Sequence, residues 1–283
     1  MHIRISTLAE NSASRLGLLA EWGLSILVET DDTTILVDTG TSMVTAANAR
    51  FMGANIQGID RIIFSHGHAD HTGGLVDLLK LADRTESPVE IIAHPDIWAP
   101  KFWRTENGRP YRYVGIPFTR KLAESLGASF HLTPDPVWIT DRIVTSGEVP
   151  MVTDFEEIDA GACVQTDEGY DPDPLKDDQS LFIRSDKGLV IVCGCAHRGI
   201  VNTITHARQL TGCRDVYAII GGIHLFSASE HRIQRTLEAI KRLDVKQIGV
   251  SHCTGPIASA FLAHALGDRF FFNHAGTITE FDL

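Results

Sequence analysis

The 283-residue chain predicts an α/β sandwich. Two observations carry that reading. Short apolar strands alternate with amphipathic helical stretches along most of the chain. A content of 43% apolar and 22% charged residues is also that of a globular protein large enough for a substantial core. In order, strands are expected at 2–8, 24–29 and 34–38, then a helix at 42–52, the strand Arg61-Ile62-Ile63-Phe64, a helix at 73–82 and the strand Val89-Glu90-Ile91-Ile92-Ala93. The later part repeats the order, with strands near 181–184, 189–193, 216–220, 247–251 and 277–281 and helices near 199–211, 230–243 and 255–266. Ile233, Leu237 and Ile240 share one helical face, Ser227 or Ser229 is placed to cap that helix, and Gly267 follows the last one. Prolines, glycines and aromatics interrupt any long period at 95–130 and 134–174. Those segments read as insertions or loops over the active face of a single domain, 1–283.

Composition narrows the function classes. A formal charge of −11 argues against a nucleic-acid-binding surface, which needs a basic face. No apolar run approaches the roughly 18 residues of a membrane span, and the first residues, Met1 to Leu8, read as a strand without the features of a signal peptide. Five cysteines without a disulfide-scaffold spacing agree with reduced thiols, so a cytoplasmic protein is expected. The oligomeric state is not readable.

The densest chemical signal is Ser65-His66-Gly67-His68-Ala69-Asp70-His71, four candidate metal ligands in six residues directly after an apolar strand. Neutral imidazoles and a carboxylate suit zinc, and also manganese or iron. At a strand end His66 and His68 project to one side, while Asp70 and His71 on the following turn can face a second ion. His197 emerges after the strand Leu189 to Cys193, and His252 ends the strand Gln247 to Ser251 in the same way; both are expected as ligands. His94 is placed similarly, as either a ligand or a wall of the pocket. His224, in the glycine-rich turn Gly221-Gly222-Ile223-His224, is expected to touch metal or substrate. The turn Gly194 to Gly199 precedes a helix, so its amides and Arg198 are expected to receive an anionic substrate group.

The run resembles the H-x-H-x-D-H signature of the metallo-β-lactamase superfamily, and Thr34 to Gly40, Gly194-Cys195-Ala196-His197, Gly221 to Leu225 and Ser251-His252-Cys253-Thr254-Gly255 match in order. Within it the combination is similar to the branch of dihydropterin ribofuranosyl-aminobenzene phosphate synthases, as are Glu10-Asn11 and Glu21 to Ser25. The resemblance implies an αββα sandwich, two mixed sheets between helical layers, and two divalent ions, zinc above all. It places His66, His68 and a later histidine, such as His197, on one ion and Asp70, His71 and His252 on the other, with Asp38 orienting a histidine from behind. Most members carry a bridging Asp in a Gly-Asp pair where this chain has Gly194-Cys195. Cys195 and Asp178 are the two replacements the chain offers.

A binuclear centre implies hydrolysis of a small, anionic substrate, with Asp70 and His224 in the chemistry and Arg198 and His224 on the substrate. The branch implies instead a transfer reaction in which an aromatic amine displaces a phosphate or diphosphate. A redox reading resembling flavodiiron proteins fits less well, since those usually have Glu where His68 stands; a non-catalytic metal-binding protein is the fourth. Over 95–121 the bases Lys101, Arg104, Arg109, Arg112, Arg120 and Lys121 outnumber Asp96 and Glu106, among Trp98, Phe102, Trp103, Tyr111 and Tyr113. That mixture suits either a planar anion or an ordinary aromatic-cored flap or dimer contact.

Overall fold

The structure, a computed structural model, describes residues 1–105 and 111–282. Two sheets pack face to face. The first has seven strands in the order Ile278–Asp282, His2–Ala9, Ser25–Thr30, Thr34–Val37, Arg61–Ile63, Val89–Ala93, Ala128–Leu132. The second has six, in the order Phe270–Phe272, Gln247–Val250, Val216–Gly221, Gly188–Cys193, Ser180–Ser185, Ile143–Thr145. Alternate side chains of both sheets point inward, and Ile3, Ile26, Val37 and Ile63 of one meet Leu181, Ile183, Val192 and Ile220 of the other in one buried core.

Helices cover both outer faces, so the expected αββα sandwich of mixed sheets is the observed one. Val44–Met52 and Leu75–Ala82 bury Ala49, Leu75, Leu78 and Leu79 against the first sheet. Ile200–Thr211, Glu230–Arg242 and Pro256–Leu266 bury Ile204, Leu237, Ile240 and Leu262 against the second. Ser229, rather than Ser227, caps its helix by accepting from the Arg232 amide, and Gly267 ends the last helix at φ 55°. Among the described residues no helix is long and apolar enough to cross a membrane.

The segments read as insertions are only partly so. Ala128–Leu132 and Ile143–Thr145 are edge strands of the main sheets, too short and too interrupted by neighbouring prolines to show a period. The remainder builds a four-stranded antiparallel sheet, Gly169–Pro172, Ala162–Thr166, Lys101–Trp103 and Arg112–Tyr113.

Parallel pairing levels the strand ends that matter. Val37, Ile63 and Ile92 lie side by side, as do Cys193, Gly221 and Val250. The loops that follow, carrying Asp38, the His66 run, Cys195 to His197, His224 and His252, therefore open at one edge of the sandwich, where loops after parallel strands build sites.

Candidate metal centre

Two sets of donors converge there. The ligand atoms of His66, His68 and His197 lie within 4.8 Å of one another, and so do those of Asp70, His71 and His252. His66 Nε2 stands 3.0 Å from His68 Nδ1 and 3.2 Å from His197 Nε2; His71 Nε2 stands 3.2 Å from His252 Nε2. Asp70 Oδ2 is 3.4 Å from His252 Nε2. Cys195 adjoins both sets: it groups with His66 and His71 and again with His197 and His224, and its Sγ is 3.1 Å from His71 Nε2.

Hydrogen bonds behind the rings fix which nitrogen faces inward. The Ser65 hydroxyl donates to Asp38 Oδ2 at 2.7 Å, so toward His66 it can only accept, and His66 Nδ1 carries the proton. Asp38 Oδ2 likewise accepts from His71 Nδ1 at 2.7 Å. Asn11 Oδ1 accepts from the Gly23 amide, which identifies it as the oxygen, and then from His252 Nδ1 at 2.8 Å. In their neutral forms these three imidazoles thus present lone pairs at Nε2, and those of His71 and His252 point at each other. The arrangement is unfavourable without a cation between them. The donor set of imidazoles, one carboxylate and one thiol fits a borderline divalent metal.

The electrostatics agree. Burial, reinforced by the surrounding histidines, drives the pKa of His66 and of His197 well below the ordinary value, and burial takes His68 to about 3. Burial works against charge on His71 too, but Asp38 more than offsets it and the pKa rises to about 9. The negative field that holds a proton there favours a metal cation equally, and metal binding releases that proton. Burial opposes ionisation of Asp70 as well; the hydrogen bond to His252 and the charges of His71 and His252 win and hold it far below the carboxylate range. Burial pushes the Cys195 thiol well up.

Four non-glycine residues at this edge adopt left-handed backbone: Asp38 (φ 59°), Ala196 (51°), His224 (43°) and His252 (50°). Each costs on the order of 1 kcal/mol and aims a side chain or carbonyl that ordinary backbone would turn away. Gly194 and Gly222 are required by contact rather than by freedom. A Cβ on Gly194 would sit 2.0 Å from Ser65 Oγ, and one on Gly222 would sit 2.5 Å from the Gly194 carbonyl.

The remaining expected site residues fall into place differently. Asp178 is buried; one oxygen accepts from the Arg198 amide at 2.9 Å, Oδ1 has no partner, and burial lifts its pKa to about 7. It joins none of the close donor groups. His224 has two buried ring nitrogens with no nitrogen or oxygen partner; burial lowers its pKa, the neighbouring Cys253 thiol more than offsets that, and its ring lies tilted at 47° to the His197 ring with centroids 4.0 Å apart. His94 has both nitrogens engaged, with Glu148 Oε1 at 3.1 Å and the Asp96 amide at 3.0 Å, and stands outside the donor groups. Arg198 spends its guanidinium on the carbonyls of Val149 and Pro174. The helix end beside it does receive an anion, but that anion is Glu156, whose carboxylate accepts from the amides of Val201 and Asn202 at 2.8 Å.

A cavity of about 730 Å³ opens over the donors. His68, Asp70, Cys195, His197, His224, His252 and Cys253 line it, together with Trp22, Phe226, Trp103, Arg104, Arg112 and Asp159. Of the six bases expected to grip an anion, only Arg104 and Arg112 are described in its wall. Lys101 is buried between Asp173 and Asp177, Arg120 pairs with Glu124, Lys121 does not line the cavity, and Arg109 lies outside the described residues. Sequence reasoning missed Cys253, Trp22, Phe226 and the support from Glu10, which accepts from the His252 amide at 2.7 Å. The signals that could have found them were the Glu10-Asn11, Glu21 to Ser25 and Ser251 to Gly255 motifs, which hold Glu10, Trp22 and Cys253; none marked Phe226.

Residues 23–252 match the sequence profile of the Metallo-beta-lactamase superfamily. The 7,8-dihydropterin-6-methyl-4-(beta-D-ribofuranosyl)-aminobenzene-5'-phosphate synthase of Methanocaldococcus jannaschii is 35% identical, over 99% of this chain and 97% of its own. A crystal structure described as a metal-dependent hydrolase of the beta-lactamase superfamily superposes with a TM-score of 0.82 at 25% identity, covering 98% of both chains. A diphosphatase of the PhnP family shares the fold at a TM-score of 0.55 and 15% identity, over 99% of this chain and 98% of its own.

Proposed function

The chain belongs to the metallo-β-lactamase superfamily, and from that premise we propose a hydrolase with two divalent ions, zinc foremost, acting in the cytoplasm on a small anionic substrate. The observation that carries the reading is the pair of donor triads, His66/His68/His197 and Asp70/His71/His252, which place His68, His197, Asp70 and His252 on the wall of one ligand-sized cavity with His66 and His71 buried behind them. When bound, divalent ions would be held by these two triads and would supply an acidified water and a counter-charge for the developing oxyanion.

The chain's own residues do the rest. Asp38, Ser65 and Asn11 hold His66, His71 and His252 in the tautomers that present Nε2. Asp70 supplies the one carboxylate of the two triads, and Cys195 stands between them. Arg104 and Arg112 give the rim a positive edge; among the described residues neither is paired with a carboxylate. Trp22 and Trp103 offer ring faces to a planar group. His224, on the cavity wall beside Cys253, is placed to exchange a proton with the substrate's leaving group.

The transferase chemistry of the M. jannaschii synthase is the second reading, favoured by full-length identity of 35%. A cavity of about 730 Å³ also has room for two reactants. The two are separated by assaying metal-loaded protein against phosphodiesters, thioesters and lactones and, in parallel, for coupling of a pterin diphosphate to an aromatic amine. Metal-dependent hydrolysis supports the first reading and coupled product the second. Two bound ions with neither activity point to a non-catalytic metal-binding protein.

A further inference from the structure

The strand Lys101–Trp103 leads into Arg104 on the cavity wall, yet Lys101 itself turns inward and is 1% exposed. Its ammonium donates to Asp173 Oδ2 at 2.7 Å and to Asp177 Oδ1 at 2.9 Å. Asp177 uses its other oxygen to accept, at 2.8 Å, from the amide of Gly67, the residue between His66 and His68. On its other side Gly67 is clamped, since a Cβ there would lie 2.3 Å from the Ile97 carbonyl. The polar chain from the substrate-facing sheet to the metal-ligand turn is therefore two contacts long and buried throughout.

Burying an ammonium between two carboxylates is a poor way to add stability, because apolar packing of the same volume serves as well or better. What the ion cluster adds is direction: one carboxylate aimed at one amide. Gln179 strengthens the same junction, with its side chain donating to the Phe64 carbonyl and its amide to the Ser65 carbonyl, both at 2.9 Å. Asp173 ties the cluster back to the small sheet through its amide, which donates to Ala162 at 3.0 Å.

We infer that Lys101 is a positioning residue that, through Asp177 and Gly67, sets the His66–His68 turn and couples the substrate-facing sheet to that end of the metal centre. The inference rests on the metal reading above. Its test is a cobalt(II) titration of the full chain, followed by calorimetry and visible absorption. The variant K101M/D173N removes one positive and one negative charge, so the buried cluster keeps its net charge and Asp177 keeps Gly67. It is expected to weaken one of two cobalt equivalents by about 10- to 100-fold and to change its ligand-field spectrum, leaving the other unchanged. Asp177→Asn, which leaves the Lys101–Asp173 pair whole, is expected to give the same loss, and K101R to restore part of the affinity. Wild-type affinities and spectra in both K101M/D173N and D177N overturn the inference. A wild-type chain that binds no cobalt overturns the metal reading itself.

Discussion

Tautomers decide what this site can hold. Asp38 accepts from Ser65 twice, through amide and hydroxyl, and from His71, so it orients two donors of different triads at once. Asp38→Asn loses an acceptor that its amide nitrogen cannot replace, and metal affinity is expected to fall about 10- to 100-fold in competition with a coloured chelator. Unchanged affinity would show that the tautomers are set elsewhere. Glu156 gives a second residue-scale test. Burial raises its pKa, outweighing the hydrogen bonds from Val201, Asn202 and Thr153. Its folded value lies above its ordinary 4.5, so what it adds to stability is whole below that pH and is lost as pH rises through the folded value. The stability difference between wild type and Glu156→Gln, from denaturant melts at several pH values, is expected to shrink as pH rises through that window; a constant difference contradicts it. At this scale the sequence was legible where ligands are local, as in the His66 to His71 run. It was illegible where partners are distant: Asn11 and His252 are 241 positions apart, and nothing near either names the other. Lys101 counted among the bases suited to a planar anion because its partners Asp173 and Asp177 lie more than 70 positions away.

At the scale of elements, the loop after each parallel strand carries one part of the centre, and tight packing between loops replaces flexibility. Gly194 is the clearest case, since a methyl group there would meet both Ser65 Oγ and, at 2.7 Å, Asp38 Oδ2. Gly194→Ala is expected to cost about 1–3 kcal/mol in denaturant unfolding and to lower metal affinity as well, because the displaced groups are the ones that orient His66 and His71. Loss of stability with metal binding intact would separate the two roles. The helices Ile200–Thr211, Glu230–Arg242 and Pro256–Leu266 were legible within a residue or two from caps and apolar spacing. The edge strands Ala128–Leu132 and Ile143–Thr145 were not, because a five- or three-residue strand beside prolines carries too little alternation to be seen. The helix end was expected to receive a substrate anion on the Gly194 to Gly199 amides and Arg198; instead the amides of Val201 and Asn202 hold an internal glutamate more than 40 positions upstream, which nothing local in the sequence names.

For the whole molecule, two sheets with their parallel strands level at one edge bring together residues from 10 to 252 without any contiguous motif longer than the His66 run. The α/β order and the sandwich were legible because strand and helix patterns alternate cleanly over both halves. The four-stranded sheet that walls the cavity was not, because its strands come from two separate proline-rich segments. The central claim is that the two donor triads hold two ions. The measurement that tests it most directly is the number of divalent metal ions per chain, by elemental analysis of zinc- or manganese-loaded protein freed of unbound metal, in wild type, H68A and H252A. Two ions in wild type and one in each variant is the expected result. One ion or none in wild type contradicts it.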